Sequence, residues 1–345
     1  MLRFLVLLND MPLPKQGASG CTLYTFLQLF VPAHEVAAIA PSELDARRPL
    51  STDVLLIGLP TSLQREQLRG VRYRQSALFD YFDSPAPVWG DSDEGLLRSL
   101  TDIYLRPFVD RSLDFGLRMG TLPLYRKPNL ARCIRASNLY RTMTGRAPSR
   151  RHDVCFFGSP TRIPESRDGQ VVFYDQRVEW LLEVTAPESP FALFGGLAPC
   201  RAERHQLAEL RAKYGDLDRI TWGHRRINFF SYFYHLSRSK VALVPAGNGR
   251  WTYRHYEAIY AGAAVVSTDF RHCDLLVPLP KDGILMVPDH APVTPAVVEA
   301  MRWHEEYPDR LEENRRFLET YFTHGRFSPN KPAAFERLVA QLPLR

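Results

Sequence analysis

The chain has 345 residues and a mass of 39.6 kDa, more than one ordinary domain holds, so two domains of roughly 150 residues each are expected. Hydrophobic residues make up 45% of the chain and charged residues 24%, which excludes a disordered protein. The apolar run Leu2–Leu8 is too short to span a bilayer, and the five cysteines form no C-x-x-C pair. We therefore expect a cytoplasmic protein, with contact to the inner membrane surface as an open alternative.

The first half of the chain alternates between strand and helix patterns. A Gly/Ser loop at residues 15–20 leads into a helical pattern over Thr22–Phe30, and Ser92–Leu105 is predicted as a second helix, capped by Ser92 or Asp93. Strands flanking a helix in this order predict a βαβ unit with a parallel sheet. The predicted strands are Leu2–Leu8, Glu35–Ala40 and Asp53–Gly58.

The same alternation begins again after residue 150, which predicts a second domain of the same class. We place the boundary in the polar connector at residues 146–149, giving domains at 1–147 and 148–345, with the last helix able to cross back to the first. The predicted strands are His152–Phe157, Phe191–Phe194, Val241–Pro245, Ala264–Thr268 and Ile284–Val287; the predicted helices are Gln176–Val184, Ile227–Leu236 and Thr252–Tyr260.

The segment from Lys240 to Asp269 carries the clearest chemical signal. A buried strand leads into Ala246-Gly247-Asn248-Gly249, and a helix is predicted to begin near Trp251 with first-turn N–H groups exposed to an anion. Arg254 and Glu257 share a helix face, where the guanidinium suits a diphosphate and the carboxylate suits ribose hydroxyls. Gly262 is predicted to end the helix in a left-handed cap. A plain βαβ unit with a surface Arg254–Glu257 ion pair is the alternative.

This pattern resembles the donor-binding signature of GT-B glycosyltransferases of the exostosin-like and spore-maturation type, within the wider glycosyl transferases group 1. The resemblance rests on Arg254, Glu257, Ala258 and Gly262, with the β-branched strand residues Val265–Val266 behind them. It implies an α/β fold with two Rossmann-like domains facing across a cleft. It also implies a transferase that moves a sugar from a nucleotide-sugar co-substrate to an acceptor hydroxyl without a metal or other cofactor.

The resemblance places Arg254 on the diphosphate and Glu257 on the ribose. Further candidates for the nucleotide-sugar site lie in loops that follow predicted strands, where ligands gather in open α/β sheets. They are Gly17, Ser19, Gly20, Gly158, Ser159, Arg162, Gly247, Asn248, Thr268 and Asp269. An inverting enzyme also needs a base for the acceptor hydroxyl, and Asp10, Asp80 and Asp83 are the candidates. A helix cap or a turn is the alternative for each of them.

Several short motifs compete with this interpretation. Asp91-Ser92-Asp93 spells the D-x-D of metal-dependent transferases, but its position ahead of a helix is explained by N-capping. His255 is expected to pack or face solvent. Arg271-His272-Cys273-Asp274 contains three potential metal ligands, but adjacent side chains point in different directions and the sequence offers no evident distant partner, so a metal site is not expected there.

Basic residues are concentrated between Arg118 and Arg151, where no acidic residue occurs after Asp114 and before Asp153. A solvated helix face explains such a stretch, but it also suits an anionic surface, a lipid-linked glycan or nucleic acid. The acceptor therefore stays open among a saccharide, a lipid-linked glycan and a modified nucleic acid. A nucleotide-sugar epimerase of the same fold and a nucleic-acid-binding protein, including a nucleobase glycosyltransferase, are the alternative functions.

Overall fold

The computed structural model divides the chain into two compact units. The first comprises Met1–Lys127, His272–Pro278 and Thr320–Arg345, and the second comprises Pro128–Arg271 and Leu279–Glu319. The described residues are 2–8, 23–82, 84–101, 103–123, 128–167, 170–223, 227–280, 283–322 and 331–342. The chain first passes from the first unit to the second at residue 128, whereas the predicted boundary lies near residue 147. The Pro128–Thr144 helix belongs to the second unit because it packs on helices of that unit.

The first unit is built on a six-stranded parallel sheet in the order β2-β1-β4-β6-β7-β9. Both faces of the sheet bear apolar side chains, and the Lys331–Gln341 helix contributes Ala334 and Leu338 to one of the two cores. The strands of this unit are β1 Phe4–Leu7, β2 Val36–Ile39, β3 Leu50–Ser51, β4 Val54–Gly58, β5 Val71–Arg72, β6 Gln75–Phe79, β7 Ile103–Arg106, β8 Phe108–Asp110, β9 Arg118–Thr121 and β16 Cys273–Leu275.

The second unit is built on a five-stranded parallel sheet in the order β13-β10-β14-β15-β17. Its core lies between the sheet and the helices on its faces, with Trp180 and Leu243 among the buried residues. An antiparallel hairpin, β11–β12, is added beside it. The strands are β10 His152–Gly158, β11 Ile163–Arg167, β12 Gln170–Tyr174, β13 Leu193–Leu197, β14 Ser239–Val244, β15 Ala264–Thr268 and β17 Ile284–Val287.

Helices connect the strands in both units, so the predicted α/β class with two Rossmann-like parallel sheets is confirmed. The α-helices are Glu94–Leu100, Pro128–Thr144, Gln176–Val184, Arg204–Tyr214, Phe229–Leu236, Arg254–Ala261, Thr294–Glu306, Pro308–Phe322 and Lys331–Gln341, and residues 23–27 are also helical. The short 3-10 helices are Ala33–Glu35, Pro41–Glu43, Gln67–Gly70, Arg201–Glu203 and Asp218–Ile220.

Two element predictions are wrong in an instructive way. The helix predicted over Ser92–Leu105 stops at Leu100, because the Thr101 hydroxyl donates to the Ser76 carbonyl and Ile103–Arg106 joins the sheet as β7. The strand predicted to stop at Gly195 continues to Leu197. A Cβ on Gly195, whose φ is +106°, would lie 2.0 Å from the Phe156 carbonyl oxygen, so this glycine allows β13 to approach β10.

Candidate active site

The loops that follow β10 and β14 meet at one edge of the second sheet. In the order β13-β10-β14-β15-β17, the chain runs from β10 to one neighbour and then crosses back to the other, so β10 and β14 flank the point where the winding reverses. In open α/β sheets, ligands bind outside the carboxyl ends of the strands at this switch point. Gly158 ends β10 and Ser159 follows it, and Pro245–Gly249 follows β14, so both candidate loops lie at that place.

Arg177 fastens these two loops together. Its side chain is 4% exposed, its Nε donates to the Ala246 carbonyl at 2.9 Å, and its Nη1 donates to the Ser159 carbonyl at 2.7 Å. A Cβ on Gly247 would lie 2.4 Å from Arg177 Nη2, which explains why glycine occupies this position. Arg177 was missed by the sequence analysis. Its only signal was a polar Asp-Gln-Arg triplet at the start of an otherwise apolar helix, and its burial could not be inferred from that.

Thr268 supports the β14 loop from the neighbouring strand. The Thr268 hydroxyl donates to Gln176 Oε1 at 2.5 Å, and the Ala246 N–H points at both acceptors, with 2.7 Å to Thr268 Oγ1 and 2.9 Å to Gln176 Oε1. Both side chains are fully buried. Thr268 thus lies at the carboxyl end of β15, as predicted, but the structure places it beneath the loop, where it holds the backbone.

Arg254 presents its guanidinium to the end of β10. The guanidinium carbon lies 5.5 Å from the centre of the Phe156 ring, and a Cβ on Gly158 would be 2.9 Å from Nη2 and 3.1 Å from Nη1. Within the described part of the chain, Nη1 is buried and has no hydrogen-bond acceptor. A buried donor without an acceptor is costly, so the site favours a ligand that supplies one. Arg254 is also the first residue of its helix, where the helix dipole favours an anion.

The first turn of this helix differs from the prediction. The helix begins at Arg254, and Trp251 lies fully buried ahead of it. The Arg254 N–H donates to Thr252 Oγ1 and the His255 N–H donates to the Thr252 carbonyl, both at 3.2 Å. These N–H groups are satisfied within the chain, so the expectation that they are exposed to an anion is wrong for this pair. The Arg254 side chain therefore stays the candidate group for an anion at this turn.

His255 serves the core. Its Nε2 lies 2.7 Å from Ser267 Oγ, its Nδ1 lies 2.8 Å from the Thr252 carbonyl oxygen, and its ring packs edge to face on Phe270. Burial lowers the pKa of His255 to about 4, so the ring is neutral at pH 7. The side chain is wholly inaccessible, which agrees with the expected packing role.

Glu257 lies deeper than a surface ion pair would. It is 3% exposed and its carboxylate is hydrogen-bonded to the Tyr232 hydroxyl. Burial, and then the nearby Glu257 charge, raises the pKa of Tyr232 well above its ordinary value and that of Cys133 to about 11. A ribose contact by Glu257 would therefore have to share or replace the Tyr232 hydroxyl.

Two other predicted residues have their charge compensated within the second unit. Arg162 Nε lies 2.5 Å from Asp175, which is 1% exposed and also receives Lys213 at 2.7 Å. Asp269 follows β15 and accepts from Arg271 Nε at 2.9 Å. Asn248, at the tip of the β14 loop, is exposed. Among Arg162, Asp269 and Asn248, the residue that is exposed and belongs to a loop held by Arg177 is Asn248.

The predicted residues of the first domain are described only in part. Asp10, Gly17, Ser19, Gly20 and Asp83 lie outside the described residues. Asp80 is 1% exposed; it accepts the Tyr104 hydroxyl at 2.5 Å and pairs with Arg106 at 3.2 Å. Burial raises the pKa of Asp80, while Arg106 and the Tyr104 hydroxyl act in the opposite direction. This carboxylate is enclosed in the core, where it cannot meet an acceptor hydroxyl.

The D-x-D motif serves the helix that follows it. Asp93 caps the Glu94–Leu100 helix by accepting from the Leu96 N–H at 2.9 Å, and Ser92 Oγ accepts from the Thr61 N–H at 2.8 Å. Among the described residues, no three His, Cys, Asp or Glu side chains lie close enough to hold a metal ion.

The basic stretch is divided between internal and exposed roles. Arg150 donates to the carbonyls of Ser237, Ser239 and Ala261, where two helices end, and burial lowers its pKa to about 10. Arg141 pairs with Glu312 at 2.8 Å. The exposed members are Arg118, Arg132, Arg135, Arg146 and Arg151, while Arg126 and Lys127 lie outside the described residues. Contact of this stretch with an anionic surface stays a prediction.

Comparison with known proteins gives likenesses of structure. The chain matches no protein-family model and no curated protein. It is similar to the UDP-forming alpha,alpha-trehalose-phosphate synthase of Burkholderia vietnamiensis, with 14% identity and a TM-score of 0.46 over 86% of this chain and 76% of that one. It is also similar to the N-terminal domain of trehalose-6-phosphate phosphatase of Candida albicans, with 13% identity and a TM-score of 0.48 over 84% and 71%.

A third similar structure is the pneumococcal O-GlcNAc transferase GtfA in complex with UDP and GlcNAc, with 14% identity and a TM-score of 0.44 over 86% of this chain and 59% of that one. No helix among the described residues is both long enough and apolar enough to cross a membrane.

Proposed function

We propose that the protein is a metal-independent GT-B glycosyltransferase that moves a sugar from a nucleotide-sugar donor to an acceptor hydroxyl. The observation that carries the proposal is the buried Nη1 of Arg254, which has no acceptor among the described residues and lies at the switch point of the second sheet. The resemblance of the Arg254–Gly262 segment to the exostosin-like and spore-maturation-type donor signature supports the same assignment.

Arg254 would bind the diphosphate and stabilise the charge that develops on it as the glycosidic bond breaks. A guanidinium held at the start of a helix, with its stem packed on Phe156, is positioned before the reaction and needs little reorganisation. Gly158 and Gly247 keep the backbone open beside it, since side chains at these positions would meet Arg254 and Arg177. Glu257 would bind the ribose by exchanging its Tyr232 partner.

Removal of the Arg254 side chain tests the proposal. A thermal-shift screen across nucleoside diphosphates and sugar nucleotides first identifies the donor, because a ligand that binds the folded state raises its melting temperature. Arg254→Ala is then expected to weaken donor binding by about 10- to 150-fold, the value of one charge-assisted hydrogen bond of about 1.5 to 3 kcal/mol. Isothermal titration calorimetry measures the affinity, and transfer to a panel of acceptors measures activity with and without EDTA.

Arg151→Ala is the matched control, because Arg151 is an exposed arginine that precedes β10 at the opposite edge of the sheet. Equal donor affinity in the Arg254→Ala and Arg151→Ala proteins would refute the assigned site. Donor turnover to an epimer without any acceptor would support the epimerase in place of the transferase. Loss of activity in EDTA would refute metal independence alone.

A further inference from the structure

A pocket lies at the edge of the second sheet opposite to the candidate active site. It has a volume of about 390 Å³ and is bounded by the end of the Pro128–Thr144 helix, the connector at residues 145–150, and the start of the Pro308–Phe322 helix. Gly262, which ends the Arg254–Ala261 helix, lines it, and β15 begins directly afterwards. Strands of this length separate the pocket from the Arg254 guanidinium by roughly 20 Å. The pocket is thus a separate place from the candidate active site.

The lining of the pocket has more positive than negative charge. Four arginines face two carboxylates, and His304 adds no charge because burial lowers its pKa to about 4. One carboxylate, Glu312, is already shared, since it pairs with Arg141 at 2.8 Å and with Arg315 at 2.6 Å. The lining arginines are Arg141, Arg146, Arg150 and Arg316, and the lining carboxylates are Asp309 and Glu312.

Two of the guanidinium groups are crowded together. A Cβ on Gly262 would lie 2.9 Å from Arg150 Nη2 and 3.3 Å from Arg141 Nη2, so both groups approach the same point. Burial, and then repulsion from Arg141, lowers the pKa of Arg150 to about 10. Arg141 also keeps a buried Nε with no acceptor in the described part of the chain. Arg150 is held by the carbonyl oxygens of Ser237, Ser239, Ala261 and Gly262, so its charge is met by neutral acceptors, whereas Arg141 Nε is a donor still without an acceptor.

Two further arginines that line the pocket are exposed to solvent. Within the described residues, the Arg146 side chain has no ion-pair or hydrogen-bond partner, and it is exposed at the rim. Arg316 is 69% exposed and lies 3.4 Å from Glu312. Guanidinium groups bind phosphate oxygens in a bidentate manner. The volume of the pocket, about 390 Å³, suits a small molecule.

We propose that this pocket binds a small molecule carrying phosphate groups, with Arg146 and Arg316 closing on the phosphate and Arg141 and Arg150 forming the charged floor. Pro148 and Leu311 supply apolar wall beside these cations, as expected of a site for a ligand with both a charged and an uncharged part.

The test uses inorganic tripolyphosphate and isothermal titration calorimetry in an Arg254→Ala background, which removes the anion site proposed at the other edge. Combined Arg146→Gln and Arg316→Gln substitutions are expected to weaken binding about tenfold or more, because two charge-assisted contacts are lost. Both side chains are exposed, so the fold should persist, and an unchanged melting temperature verifies it. Arg118→Gln, an exposed arginine of the first unit in the same basic stretch, is the control and should bind as its background does.

Three results would overturn the proposal: no binding of tripolyphosphate to the Arg254→Ala protein, equal binding after the double substitution, or an equal loss with Arg118→Gln. Vesicles of phosphatidylcholine with and without phosphatidylglycerol form a separate arm. Binding that requires anionic vesicles and is absent for tripolyphosphate would assign the arginines to a membrane surface and would also overturn the proposal. Failure here leaves the transferase assignment intact, because that assignment rests on Arg254 and on donor binding.

Discussion

Gly158→Ala offers a test of the active site that leaves every charged group in place. The backbone of Gly158 lies outside the positive-φ region, so alanine fits its conformation. The new Cβ would lie 2.9 Å from Arg254 Nη2 and 2.7 Å from Phe156 Cζ. Restoring an ordinary contact of 3.4 Å to the guanidinium requires a displacement of about 0.5 Å, from 2.9 to 3.4 Å.

The Phe156 ring must shift as well, by about 0.7 Å from 2.7 to 3.4 Å, and it resists because it is 2% exposed in the core of the second unit. The Arg254 guanidinium, which lies over that ring, should therefore be displaced together with it. We expect overpacking to cost about 1 to 3 kcal/mol of unfolding free energy. A guanidinium displaced from its phosphate would lose up to one charge-assisted hydrogen bond of about 1.5 to 3 kcal/mol, so donor affinity should fall by as much as about 10- to 150-fold.

The assay is calorimetric titration with the nucleoside diphosphate identified by the thermal-shift screen. Gly223→Ala is the matched control, since a Cβ there meets no atom of the described residues within 4 Å and its backbone also lies outside the positive-φ region. If Gly158→Ala binds the diphosphate as tightly as Gly223→Ala while both remain folded, then Arg254 does not contact the phosphate in the position described here.

Three further predictions concern stability, each measured by urea denaturation. Asp80→Asn should lower the unfolding free energy by about 3 to 5 kcal/mol, because it leaves the buried Arg106 without its partner charge; a change below about 1 kcal/mol would contradict this. Gly262→Ala, at φ +73°, should lower the unfolding free energy by about 1 to 2 kcal/mol through backbone strain, and further because the new Cβ would meet Arg150. Gly145→Ala, at φ +66° with no atom of the described residues within 4 Å of its Cβ, should show the loss from strain alone. Equal losses of unfolding free energy in the two variants would contradict the close approach of Arg150 to Gly262. The pKa of His255 is about 4 in the folded protein and about 6.5 in the unfolded chain. As the pH falls below 6.5, the imidazole is protonated in the unfolded chain while it stays neutral in the folded protein, so the unfolding free energy should fall by up to about 3 kcal/mol between pH 6.5 and 4. His304 contributes in the same range, so His255→Phe should reduce this slope without abolishing it; an unchanged slope would refute the role of His255.

The elements of the second unit were the easiest to predict, because the hydrophobic periodicity and the glycine and proline positions indicate the same element boundaries there. The Gln176–Val184 helix and the strands Ala264–Thr268 and Ile284–Val287 have the bounds that the sequence predicts. Gly262 ends its helix in the left-handed conformation, as the combination of a helical pattern and a following β-branched run indicates. In these segments each local preference agrees with the tertiary structure.

The first unit was harder, because several of its strands lack a clean apolar pattern. Arg118–Thr121 forms β9 although it begins with an exposed arginine, and its backbone is held by Gln341, which accepts the Thr121 N–H at 2.6 Å. Such a partner is 220 residues away in sequence and leaves no local signal. The strand Gln75–Phe79, which pairs with β4 and β7, was not predicted either.

The site residues likewise include one that a local motif indicates and others whose surroundings depend on distant parts of the chain. The motif indicated the location of Arg254, but the burial of Glu257 against Tyr232 depends on a helix that packs from elsewhere in the chain. Arg177 is decisive for the loops, yet an arginine near a helix start usually faces solvent. Sequence patterns thus predicted the strand ends that the loops follow, whereas the polar groups that fix those loops emerge only from tertiary packing.

The attachment of two loops to one guanidinium constrains how this protein could be re-engineered. Since Arg177 bonds to the backbone after both β10 and β14, an insertion or deletion in either loop would disturb the other through the shared side chain. Variation in substrate preference should therefore accumulate at positions outside that linkage, and Asn248, whose side chain is exposed at the tip of the β14 loop, is the first place to look for it.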